Sequence, residues 1–263
     1  MKEGFGEMLA RYRKKGDFTQ EDIANVDLKL SASHIALLES SGGTERERKS
    51  QLTRHQVWYL VEKLKILPPD LDEFLENAKQ TILRDDNEEL FIQKNYPDLE
   101  ELWIFAKVVR DLDNGWYETV RDNIIEGTKY CYFTSDDKIC RDLVEKLLTE
   151  PAITEEIIKK KIECILLPDE FFLTNFAIYN PKENNPNMYC CGGIAVYGKA
   201  FSFYTCKESE TDYFFKTLRY LRKRIMEALP IALPDALYIQ LPIRDNEPTR
   251  LSRSSFTQRK NLY

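Results

Sequence analysis

The chain has 263 residues and a formal net charge of −6, with 43% hydrophobic and 31% charged residues. Its 14 Tyr, 14 Phe and 3 Trp are enough for a real core and argue against disorder, and the length allows two modest domains. No apolar run is long enough to cross a bilayer, and the start MKEGFGEM has no signal-peptide apolar region, so no membrane association and a cytoplasmic location are expected.

Six cysteines, at 131, 140, 164, 190, 191 and 206, form no CxxC pair, and no histidine lies beyond residue 55. Zinc sites want such spacing, so reduced buried thiols are expected, with no metal and no cofactor. Cys190 and Cys191 alternate in direction on a strand, so one of them is expected to face solvent.

In chain order, 1–17 reads as a helix with Phe5, Met8 and Leu9 inward and a basic end of Arg13, Lys14 and Lys15. Residues 18–39 read as two short helices joined by a turn. Thr19 and Asp22 begin the first in near-capping-box spacing, and Ser31 caps the second. Ser40 to Gly43 stops it. A charged loop, 44–52, carries Arg46, Arg48 and Lys49. A helix over 53–66 ends at Pro68-Pro69, and an amphipathic helix follows over 70–83. The polar run 84–89 opens a linker, 84–98.

From residue 99 the pattern changes. Strand-like runs at 102–106, 128–134 and 161–167 alternate with helices at 117–126 and 137–149. That order predicts a parallel sheet with crossover helices. Strands at 175–179, 188–196 and 200–206 follow, the last two as a hairpin through Tyr197-Gly198-Lys199, then a helix at 212–229. The expected fold class is α+β and multidomain. It comprises an N-terminal all-α domain (1–83), the linker, an α/β domain with a mainly parallel sheet (99–230), and a less regular basic tail (231–263).

The N-terminal order resembles the Cro- and phage-repressor-like helix-turn-helix family. Gly6 and Leu9 come first, Thr19-Gln20 opens the second helix, and Glu39 closes the third. The resemblance covers 4–67, about a quarter of the chain. Arg13 stands seven residues before Gln20, where the family has an arginine, and Glu39 where it has the paired acid. This implies a bidentate clip between the first helix and the end of the third. The resemblance further implies a transcriptional regulator on double-stranded DNA, with the helix from Ser31 in the major groove; useful specificity is expected to need a homodimer that places two such helices about one DNA turn apart. The sites it implies are Gln20, Lys29, Ser31, Ala32, Ser33, His34 and Leu37, with Arg46, Arg48 and Lys49 at phosphates. Two departures stand out. The turn is one residue longer than the family's and lacks its glycine, placing Leu28 or Lys29 there. The base-facing positions Ala32, Ser33, Ala36 and Leu37 include no side chain that reads bases by two contacts.

The second domain contains no GxSxG, P-loop, GxGxxG or HExxH, and no histidine to activate its cysteines. Its strand order faintly resembles a phospholipase D-like half, without that class's histidine. No catalytic residue is therefore expected, and sensing or assembly is the default. Ligands of open α/β sheets sit beyond the C-terminal strand ends. Lys107, Arg110, Arg121, Tyr130 and Tyr132 are the candidate contacts there for a small-molecule or nucleotide-like effector. The alternative to DNA regulation is a protein-interaction module that keeps the motif's fold, favoured by Ala32 and Leu37 on its outer face.

Overall fold

The computed structural model describes residues 3–40, 52–107, 109–113, 115–196, 200–227 and 237–239. The fold is mixed α/β. Four helices come first: α1 (Phe5–Lys15), α2 (Ala32–Ser40), α3 (Arg54–Leu64) and α4 (Asp70–Asn77). Their apolar sides meet around Met8, Leu9, Ile23, Leu30, Ile35, Val57, Leu60 and Phe74, all at most 1% exposed. Burial of such a cluster supplies most of the stabilisation of short helices, which are marginal alone. Gly6 is required by close approach: a Cβ there would lie 2.2 Å from the Leu38 carbonyl oxygen of α2.

The stretch expected to form the first helix of the motif is a single turn. Thr19 and Asp22 make the expected reciprocal bonds: the Thr19 amide donates to the Asp22 carboxylate at 2.7 Å and the Asp22 amide to the Thr19 hydroxyl at 3.2 Å. The helix stops there because Asn25 and Leu30 pair their backbones in both directions, at 2.7 and 2.8 Å. The Asn25 side chain also accepts from the Leu28 amide at 3.0 Å, an Asx-type turn that competes with helix. Lys29, not Leu28, takes the left-handed conformation, with φ 56°, at a cost of about 1–2 kcal/mol for a side-chain-bearing residue.

The later elements are α5 (Asp86–Asn95), β1 (Glu101–Phe105), α6 (Trp116–Glu126), β2 (Lys129–Thr134), α7 (Asp137–Leu147), α8 (Glu155–Lys161), β3 (Ile162–Leu166), β4 (Asn175–Tyr179), β5 (Tyr189–Val196), β6 (Ala200–Thr205), α9 (Glu208–Glu227) and β7 (Leu237–Ile239). Among the described residues the sheet has seven strands in the order β6-β5-β4-β1-β2-β3-β7. It is mixed rather than mainly parallel. Only β1–β2 and β2–β3 pair in parallel; the other four pairings are antiparallel. The reason is connection length. Between β3 and β4 lies only a 3-10 turn, Asp169–Phe171, too short for a crossover. The chain therefore runs along the edge where β1 to β3 end, and β4 returns antiparallel to β1. β7 falls within the span expected to be an irregular tail; it pairs with β3.

Helices cover both sheet faces. On one, Val120, Ile124, Leu143, Leu147 and Ile158 pack on Leu102, Tyr130, Tyr132 and Cys164, in a cluster continuous with the core of α1 to α4. On the other, Phe215, Leu218 and Ile225 of α9 pack on Trp103, Cys131, Phe133 and Ile165. This double cover buries Cys190 and Cys191 alike, so neither faces solvent as expected of one of them. Ile125 of α6 is exposed. Among the described residues no helix is long and apolar enough to cross a membrane.

The stretch read as a linker is a structural seam. Arg84 pairs backbone with Phe203 of β6 in both directions, at 2.9 and 2.8 Å. Its side chain is fully buried against Glu89, at 3.0 Å, and Asp72, at 3.1 Å. It also donates to the Tyr189 hydroxyl at 2.7 Å. A buried guanidinium needs this full set of partners, since leaving one donor unmet is costly. Asp85 caps α5 by accepting from the Glu88 amide at 3.0 Å.

Candidate functional site

Two regions bring chemistry-bearing residues together. The first is the outer side of α2. Arg13 on α1 donates from Nε to Glu39 Oε1 at 2.6 Å and from Nη2 to Oε2 at 2.9 Å. Its Nη1 holds the Phe18 carbonyl at 2.8 Å. Gln20 Nε2 donates to the same Glu39 Oε2 at 2.8 Å. Burial pushes the Glu39 carboxyl up, but the bonds from Arg13 and Gln20 outweigh it and hold the group below the usual carboxylate range. The lock fixes both ends of the 18–39 stretch.

The Ser31 hydroxyl caps α2 by accepting from the His34 amide at 3.1 Å. Ser33 and Leu37 are exposed, while Ala32, His34 and Ala36 are half-buried. Val26, at 92% exposure, and Leu37, at 45%, stand out beside the turn. Lys14, Lys15 and Lys29 are exposed, with Lys15 over the Tyr12 ring of α1. Arg11 is held by Glu3 at 2.9 Å. Arg54 is spent on Glu88 and on the Thr81 and Leu83 carbonyls, at 2.5 to 2.9 Å. Arg46, Arg48 and Lys49 lie outside the described residues.

The second region is a cavity of about 100 Å³ beside the C-terminal end of β1. α5 contributes Glu89 and Gln93, the segment after β1 contributes Arg110 and Asp111, and α6 contributes Trp116. Asn175, Tyr179 and Phe203 close it from β4 and β6. Asp111 is 5% exposed. Its one hydrogen bond among the described residues comes from the Tyr132 hydroxyl, at 2.6 Å. Burial pushes its carboxyl up to about 6, partly offset by Tyr132 and reinforced by the nearby charge of Asp113. Arg110 is engaged by Asp86 at 2.7 Å and Asp113 at 3.0 Å. Glu89 is neutralised by Arg84 and also accepts from the Tyr179 hydroxyl at 3.0 Å.

The five ligand candidates read from the sequence do not form one cluster. Arg110 lines the cavity, and Tyr132 reaches it through Asp111. Tyr130 is buried next to Tyr132, its hydroxyl accepting from Gln93 at 3.1 Å and Asn123 at 2.9 Å. Lys107 forms an exposed pair with Asp169 at 2.8 Å. Arg121 lies on the far side of α6, with Asp122 at 2.8 Å and Glu150 at 3.9 Å. Sequence reasoning missed Asp111, Trp116 and Gln93. Asp111 directly follows Arg110 past the first strand end, the position where α/β ligands are expected. Gln93 was hidden because α5 was read as a linker. Among the described residues no group of acidic, histidine or cysteine side chains is arranged to hold a metal ion. Compared with protein-family models and with curated protein sequences, the chain matches none.

Proposed function

We propose that the chain is a DNA-binding transcriptional regulator. In this reading residues 1–83 form an all-helical repressor-like unit that docks α2 against duplex DNA, and the sheet-bearing unit, 99–230, senses a small molecule and mediates a homodimer. The observation that carries the reading is the Arg13–Glu39–Gln20 lock. It holds α2 against α1 through the residues on which the family resemblance rests, leaving Ser33 and Leu37 outward. Lys14, Lys15 and Lys29 are exposed and of the type suited to phosphate contacts, which orient without reading sequence. No activity is assigned to the sheet-bearing unit. Both histidines lie at 34 and 55, and burial pushes the Cys131 and Cys191 thiols up, away from the reactive thiolate.

The test is a titration of random and selected duplexes at two salt concentrations, with wild type and the Arg46/Arg48/Lys49→Ala variant. Each lost phosphate contact lowers the salt slope by about one unit. Sequence discrimination by a monomer is modest, because a missing two-point base contact forgoes roughly 1–3 kcal/mol of selectivity. A second reading, a protein-docking surface, is favoured by the exposed Val26 and Leu37. Wild type that binds no duplex at low salt would overturn the DNA reading in its favour.

A further inference from the structure

We propose that the cavity between α5, α6 and the end of β1 binds a small organic ammonium ion, with Asp111 as counter-ion and Trp116 as an aromatic wall. The inference deepens the reading of the sheet-bearing unit as a sensor by naming its ligand class.

The charges decide the sign. Two carboxylates, Glu89 and Asp111, line the cavity, and two more, Asp86 and Asp113, hold its lining residue Arg110. Glu89 is matched by Arg84 at 3.0 Å, and Asp86 and Asp113 share Arg110 at 2.7 and 3.0 Å. Asp111 has no cation within ion-pair distance among the described residues, and Tyr132 is its one donor. A buried carboxylate without a cation is costly, and a ligand cation beside it recovers that cost. The lining adds the rest of an ammonium site. Gln93 spends its amide nitrogen on Tyr130, which leaves its side-chain oxygen as a second acceptor. Trp116 and Phe203, with ring centroids 6.2 Å apart, offer π-faces of the kind that attract cations. Among the described lining residues the one cation a ligand anion could meet, Arg110, is already held by two carboxylates. The volume of about 100 Å³ holds roughly seven to ten water-sized groups, the scale of a single-ring or short-chain amine.

The test uses the full chain in calorimetric titrations at pH 7.5 with benzylammonium chloride, benzyl alcohol and sodium benzoate at equal ionic strength. Benzylammonium is expected to bind about tenfold or more tightly than benzyl alcohol, with benzoate weakest. Asp111→Asn, which keeps the side-chain shape, is expected to abolish the preference for ammonium over alcohol. Trp116→Leu is expected to weaken benzylammonium about fivefold. Circular dichroism of both variants confirms that they fold. Equal affinity for amine and alcohol, a preference for benzoate, no binding of any probe, or an unchanged Asp111→Asn variant would each overturn the proposal. Ammonium binding that leaves duplex affinity unchanged would keep the site and overturn the sensor reading. Duplex binding without ammonium binding would keep the DNA reading and overturn the site.

Discussion

Glu39 and Asp111 are both well-sheltered carboxylates, and they sit in opposite circumstances. Glu39, in the helical region, receives two bonds from Arg13 and one from Gln20 and is held below the usual range. Asp111, beside the sheet, receives one bond from a phenol and is pushed up to about 6. Burial acts in the same direction on both. The difference lies in the partners, and it separates a carboxylate that holds the fold together from one left available to a ligand. A satisfied ion pair stabilises the fold and offers nothing to a visitor, whereas an unmatched charge costs stability and offers a binding site.

The largest expected effect would break the helical half of that contrast. Glu39→Ala leaves Arg13 and Gln20 without their shared acceptor, in a pair whose side chains are 14% and 9% exposed. The expected loss is about 3 kcal/mol, the low end for breaking a buried pair. Thermal melts at pH 7.5 check it, with a fall in Tm of several degrees expected. The wild-type contribution of Glu39 is present above its ordinary pKa of 4.5 and is lost as pH falls through its depressed folded value. An unchanged Tm would remove the support for placing Arg13 and Glu39 by family resemblance.

The opposite sign is expected at Asp111. Its folded pKa of about 6 lies above its ordinary value of 3.8, so the folded state binds more protons between them. Stability from this group is therefore greatest below 3.8 and falls as pH rises to about 6. Asp111→Asn is expected to gain about 2 kcal/mol over wild type at pH 7.5 and nothing at pH 3.5. Urea melts at the two pH values measure this. A variant less stable than wild type at pH 7.5 would show that the carboxylate is matched after all.

The smallest effect sharpens the comparison by adding a charge that does neither job. Lys107 and Asp169 pair at 51% and 59% exposure, so Lys107→Ala is expected to change stability by less than about 0.5 kcal/mol and to leave benzylammonium affinity as in wild type. A severalfold loss of that affinity would move the ligand site toward the sheet edge.

What could be read from the residues follows from where each signal lives. The strand runs such as 128–134 were legible because strands covered on both faces are nearly all apolar. The lock was legible only through resemblance, since Arg13 and Glu39 are 26 residues apart. α5 was missed because its exposed, charged first turn outweighed its signal. Yet Asp85 and Glu88 are spaced as a capping box, a sign that was present in the sequence.

By itself the sequence determined the alternation of helices and strands, the apolar faces and the caps, because these depend on local spacing and backbone chemistry. The tertiary structure decided the rest. Pairing of Asn25 with Leu30 reduced an expected helix to one turn. The short passage from β3 to β4 turned half the sheet antiparallel. Arg84 made a seam where polarity suggested a linker. Only packing could bury Asp111 beside Tyr132 with no described cation within ion-pair distance, because the charge state of a carboxylate is set largely by neighbours that are distant in the chain.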